Sequence, residues 1–304
     1  MTRWSTKQVL GCLIGSIFFT LGSSLGAYIL WNKSKQKKMH SSKYKIVNIV
    51  QTGLQKEALQ TSYLAELLNL SGDKEVSLYA VDCKKAEEKL LISPLISEAF
   101  VKKIPPDTLY IEYEARKPIA YLVDYENIGI DREGYIFPMT PFFSPKEMPE
   151  IYLGLPSFGE PEDNFDRKGA CWNAPIQNRY FEIALSVFQF LEQAPWKEGF
   201  RVKKIDVSNA FAPSLGQREI VLFTEEDFTF SFEGKQISCI FPKILRLAPK
   251  DYSQQLNHFF SLRRHMAEDY KKQLMKKPKS GAFQTRIIDF RIPQLAFVEN
   301  HREP

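Results

Sequence analysis

Residues 92–138 read ISPLISEAFVKKIPPDTLYIEYEARKPIAYLVDYENIGIDREGYIFP, and they decide the fold. Two strand patterns meet at a turn, Pro105-Pro106-Asp107. The second alternates cleanly. Leu109, Ile111, Tyr113 and Ala115 fall on one side, and Tyr110, Glu112, Glu114 and Arg116 on the other. A period of two with one apolar side is a strand buried on one face. The stretch carries no nucleophile, acid–base pair or metal cluster.

Working back from it, Asp82 is a predicted N-cap for a helix with Ala86, Leu90 and Leu91 on its apolar side, ended by Pro94. Thr61-Ser62 offers cap oxygens to a helix running to about Leu70, with Gly72 as its C′ residue. Ile46, Val47, Ile49 and Val50 form a first strand. The order strand, helix, helix, strand, strand predicts a three-stranded sheet covered by two helices over residues 44–118.

Downstream, Ile119–Asp124, Asn127–Asp131 and Tyr135–Phe137 read as strands, with Asp131-Arg132-Glu133-Gly134 as a turn. A proline-rich excursion over Pro138–Lys168 follows. Tyr180, Ile183, Ala184, Val187, Phe188 and Leu191 have helical spacing. Strands resume at Val202–Val207, Glu219–Phe223 and Phe228–Glu233, with Glu225-Glu226-Asp227 as a turn. A second helix carries Leu256, Phe259, Phe260, Met266 and Tyr270. Lys271–Ser280 is a polar basic segment, and Thr285–Val298 is one last strand. Residues 119–298 are thus a strand-rich β domain with two helices, ahead of a tail at 299–304.

Apolar residues make up 44% of 304, and 23 are Phe, enough for two cored domains. The eight cations of residues 1–45 have no carboxylate among them, so a net charge of +5 leaves residues 46–304 at −3. A mildly acidic body argues against nucleic-acid binding. Val9–Trp31 has no charge and is predicted to be a transmembrane helix, between a tail at 1–8 and a basic linker at 32–43. A cleaved signal peptide fits less well, because the run is too long and lysines follow it. Those lysines taken alone would put the body in the cytoplasm.

No catalytic, cofactor or metal site is expected. Gly22-Ser23-Ser24-Leu25-Gly26 matches G-x-S-x-G but lies in the apolar run, where no strand–turn–helix elbow forms. His258 and His265 are two helical turns apart, roughly 10 Å, too far for one metal. Cys83, Cys171 and Cys239 have no paired spacing. Lys271, Lys272, Lys276, Lys277 and Lys279 read as a solvated face. Pro293 places the last strand at a sheet edge or bulge. An apolar edge there either invites a partner strand or is covered by the chain's own terminus.

Ile96–Val101 with Pro106–Ile111, Pro118-Ile119-Ala120 with Ile130–Phe137, and Ile288-Asp289-Phe290-Arg291 together resemble the FtsQ/DivIB family of bacterial cell-division proteins. The chain departs from that pattern at Ala115, where the family has Glu, and near Phe241-Pro242, where a Gly is missing. The resemblance implies an α+β protein with one N-terminal transmembrane helix, a POTRA-type domain and a β domain. It implies a non-enzymatic scaffold at the septum, anchored by its helix in the lipid bilayer of the inner membrane, with the N-terminus cytoplasmic and the body outside. The implied partners are FtsB-like and FtsL-like single-span proteins. Family positions that follow the last strand motif place partner contacts at Ile292, Gln294 and Leu295, and Phe290 on that strand completes the expected set. A POTRA-bearing secretion or outer-membrane assembly component, and a membrane-anchored cell-wall enzyme, are the alternatives.

Overall fold

The computed structural model describes residues 6–53, 58–70, 75–160, 168–193, 199–232, 234–276 and 285–300. The chain divides into two compact units, Met1–Ala115 and Arg116–Pro304. It is α+β throughout.

The first unit opens with α1 (Thr6–His40). Val9–Trp31 lies in this helix, but the predicted membrane span is not found: among the described residues no helix is long and apolar enough to cross a membrane. Small and hydroxyl-bearing side chains are spaced through the helix from Gly15 onward. Ser16, Thr20, Ser23 and Ser24 interrupt the apolar run together with Gly15, Gly22 and Gly26. The hydroxyls of Thr20, Ser23 and Ser24 donate back to carbonyls three or four residues earlier.

Then come β1 (Asn48–Gly53), α2 (Thr61–Leu67), α3 (Cys83–Leu91), β2 (Ile96–Ile104) and β3 (Thr108–Ala115). The sheet order is β1-β3-β2, with β1 parallel and β2 antiparallel to β3. Leu109, Ile111, Tyr113 and Ala115 are all buried, so the alternation read in the sequence is the core face of the central strand. Asp82 caps α3, accepting from the amides of Lys84 and Lys85. Gln60, not Thr61 or Ser62, is the N-cap of α2, and it makes no side-chain cap bond. Gly72 lies outside the described residues. Glu87 of α3 accepts from the Val101 amide on the outer edge of β2, 2.9 Å away. That bond satisfies an edge donor which would otherwise face solvent or a foreign strand.

The second unit holds β4 (Ala120–Leu122), β5 (Ile128–Ile130), β6 (Ile136–Pro138), β7 (Glu150–Tyr152), α4 (Arg179–Gln193), β8 (Phe200–Asp206), β9 (Ile220–Phe232), β10 (Lys235–Leu247), α5 (Tyr252–Lys276), β11 (Arg286–Asp289) and β12 (Phe297–Asn300). All nine strands form one mixed sheet in the order β12-β11-β10-β9-β8-β7-β4-β5-β6. Its core joins Leu122, Ile151, Ile205, Leu222 and Leu245 of the sheet to Ala184 and Val187 of α4 and to Leu256 and Phe259 of α5. Gly134 in the Asp131–Gly134 turn has φ +88°, and a Cβ there would sit 2.8 Å from the Ile176 carbonyl, so only glycine fits.

Three expectations are corrected here. Residues 219–233 were read as two strands around a turn, and they are one strand of 13 residues. The partner strand β10 was not anticipated, nor was β7 inside the proline-rich excursion. The supposed turn stays extended because Glu226 points inward and meets Lys243 of β10 and Arg263 of α5. The Lys243 and Glu226 side chains are almost wholly buried, at 2% and 8% exposure. Burial pushes the Lys243 ammonium below its ordinary value, and the Glu226 carboxylate pulls it partly back. The triad ties α5 to the hairpin beneath it. Lastly, α5 runs helically through Lys276, into what was expected to be a linker.

Candidate functional site: the open end of the large sheet

The long last strand predicted over Thr285–Val298 is two strands. β11 pairs in parallel with β10, Lys243–Arg246 opposite Arg286–Asp289. β12 then folds back antiparallel on β11, pairing Asp289 with Phe297, Ile288 with Val298, Ile287 with Glu299, and Arg286 with Asn300. The reversal is a turn at Ile292–Leu295. The Leu295 amide donates to the Ile292 carbonyl over 3.2 Å. Gln294 has φ +63°, and Pro293 precedes it, the arrangement of a type II turn. Pro293 is therefore a turn residue rather than a bulge in a strand. The terminal segment covers the edge of β11, and β12 is itself the last strand of the sheet.

The four anticipated contact residues part company at this turn. Ile292, Gln294 and Leu295 are exposed on it. Phe290 is not available at the surface. It is 3% exposed, its amide donates to the Arg246 carbonyl, and its ring meets Phe259 of α5 edge-on at 6.3 Å. Residue 290 keeps the inward direction of Ile288, while the turn carries residue 292 away from the core. Two residues that the sequence did not single out join the exposed set, Phe297 and Val298 of β12.

Behind the turn lies a charge bracket. The Arg291 guanidinium donates to both oxygens of Asp289, with Nη2 2.7 Å from Oδ2, and to the Gly216 carbonyl at 3.0 Å. Its Nη1 is 3.3 Å from Glu219, which also takes Arg246 Nη2 at 2.6 Å. Burial alone would raise the Asp289 carboxyl. The hydrogen bonds from Arg291 and the charges of Arg291 and Arg246 outweigh it, and the carboxyl lies below its ordinary value. The hydrogen bond to Asp289 raises Arg291 in turn, against the opposing effect of burial. Planar, forked pairing of this kind fixes direction as well as charge, so the start of the turn is tied to Glu219, just before β9, and to Arg246 of β10.

A cleft of about 490 Å³ opens beside the bracket, lined by Phe211, Leu215, Arg218, Lys250, Ile292 and Phe297 among others. Leu215, Ile292 and Phe297 of its lining are exposed, and Arg218, Lys250, Asp251, Asp289 and Arg291 add charge to it. Among the described residues no group of three or more His, Cys, Asp or Glu could hold a metal ion. What the arrangement offers is main-chain pairing along a short strand next to an apolar recess. Proline at one central turn position was a legible signal for the reversal. Gln at the next, where Gly or Asn is usual, concealed it.

No protein-family model matches the chain, and no curated protein matches it either.

Proposed function

We propose that the protein is a non-enzymatic scaffold of the bacterial division apparatus, of the FtsQ/DivIB type, which captures FtsB-like and FtsL-like partners at the β11–β12 end of its large sheet. One observation carries this. The nine-stranded sheet ends in a four-residue strand whose Phe297 and Val298 are half exposed, beside Ile292, Leu295 and an open apolar cleft. Sheet ends of this kind accept added strands, with affinity from backbone hydrogen bonds and selectivity from alternate side chains.

The placement of the quoted motifs lends further support. Ala99–Val101 and Pro106–Ile111 form the β2–β3 hairpin, Pro118–Ala120 leads into β4, and Asp289–Arg291 closes β11. The β-α-α-β-β order of the first unit is that of a POTRA-type domain. Location at the division site, with the body outside the cytoplasm, belongs to the same proposal.

The test is Ile292→Glu in the full chain, with an FtsB-like partner pulled down. A carboxylate in the centre of such a joint commonly costs ~2 kcal/mol or more, roughly thirtyfold in affinity. Circular dichroism should stay native, because Ile292 is half exposed. Undiminished capture by the variant puts the interface elsewhere.

A further inference from the structure

β12 is attached to the sheet in an unusual way. It pairs with β11 alone, over four residues. Phe297 and Val298 are neighbours, so they point to opposite faces of the strand, and both are about half exposed. Phe297, Val298 and Glu299 therefore contribute no buried side chain on either face. β11 is the opposite case. Ile288 is fully buried, Phe290 follows it into the core, and the Asp289–Arg291 bracket ties its end to Glu219, just before β9, and to Arg246 of β10. Removing β12 would uncover one strand edge and no core side chain. The turn that returns β12 to β11 has a non-glycine residue, Gln294, at φ +63°, a conformation that side chains other than Gly, Asn and Asp adopt reluctantly. The strap is short, bare and held by a strained turn, while the edge beneath it is fixed.

We infer that β12 is an exchangeable strap, and that a partner's strand takes its place on β11 rather than adding outside it. This rests on the reading of this sheet end as the capture site. The resident strand also states the chemistry of its replacement. It is antiparallel, with two successive apolar residues opposite Asp289 and Ile288 and an acidic residue opposite Ile287, in the manner of Phe297-Val298-Glu299. The occupant is thus an extended segment of a protein, apolar then acidic. A strand added to the outer side of β12 is the competing outcome of the test.

The probe is a fluorescent peptide with the chain's own sequence from Leu295 to Pro304, offered to the full chain and to a chain ending at Gln294. A tethered segment competes at an effective concentration of order mM. The shortened chain should therefore bind the peptide at least tenfold more tightly than the full one. Equal binding, or binding to neither, overturns the inference.

A second variant does not depend on the shortened chain folding. Ile287→Cys with Glu299→Cys, in a background where Cys12, Cys83, Cys171 and Cys239 are serine, places two thiols on directly opposite residues, a spacing that suits a disulfide. Oxidation should abolish peptide binding and reduction restore it, whereas binding that survives oxidation marks addition outside β12. Hydrogen exchange on the untouched chain adds a third reading. β12 amides should exchange at least a hundredfold faster than those paired between β9 and β10, and equal protection shows β12 to be integral. No division protein enters these experiments, so their failure and the failure of the scaffold proposal are separable.

Discussion

Glu226→Gln should be among the most damaging single changes in the second unit. The wild-type carboxylate holds two cations, Lys243 and Arg263, in a site where the three side chains are 8%, 2% and 17% exposed. Glutamine keeps the shape and removes the charge. Lys243 and Arg263 then both lose the carboxylate they share, and breaking a buried pair from one side typically costs 3–5 kcal/mol. With a urea dependence of about 2–3 kcal/mol per molar, the unfolding midpoint should fall by about 1–2 M. Lys243→Met makes the control. It leaves one carboxylate facing one arginine and keeps an apolar stem of similar length, so the midpoint should stay within about 0.5 M of the parent. The double variant should regain more than half of the loss. Urea titration followed by circular dichroism reads all three. A glutamine variant that unfolds within about 0.3 M of the parent refutes the view that this triad holds α5 on the hairpin.

In the first unit, Val101→Asp should unfold the β2–β3 sheet. Val101 is 2% exposed and its amide already faces Glu87, so the new carboxylate is buried and repelled; a native thermal melt would contradict this. Asp82→Ala should lower stability by about 1 kcal/mol through loss of the α3 cap, seen as a lower melting temperature, with Asp82→Ser recovering most of it. The depressed Asp289 carboxyl sets a pH window. Its folded value lies below its unfolded one, so its contribution is present in full above about pH 4 and is lost as pH falls through the folded value. The protection of β11 amides, taken relative to their intrinsic exchange rates, should therefore fall in acid, and Asp289→Asn should remove that dependence.

How far the sequence could be read follows from how many constraints each element satisfies by itself. β3 is central in its sheet and buried on one face, so its alternation survives intact. The α3 cap is a local bond and was equally plain. β10 was invisible because its inward positions include Lys243, a cation made tolerable only by Glu226 and Arg263 from distant segments, and because Pro242 interrupts its pattern. The same triad made Glu226 look like a turn residue. At the candidate site, Ile292, Gln294 and Leu295 prove exposed, whereas Phe290 is buried. A reversal at Pro293-Gln294 was read as a continuing strand, so β12, with Phe297 and Val298, went unnoticed. Side chains whose direction depends on a turn need the turn first.

The parallel pairing of β11 with β10 also imposes an order of assembly. β9 and β10 are joined by a tight reversal, with Gly234 at φ +76°, and such hairpins close in about 1–10 μs. β11 can reach β10 only after the chain has travelled through α5 and beyond, and such distant contacts form late because loop closure must come first. Lys243 connects the two events, since it faces α5 through the triad and is the register partner of Arg286 at the start of β11. The helix must therefore settle over the hairpin before β11 has a template. The β11–β12 end of the sheet becomes a late-forming part of the molecule, present only once the rest of the unit is native. Under the proposed function, a chain damaged anywhere in the hairpin or α5 would lose partner capture outright rather than in part.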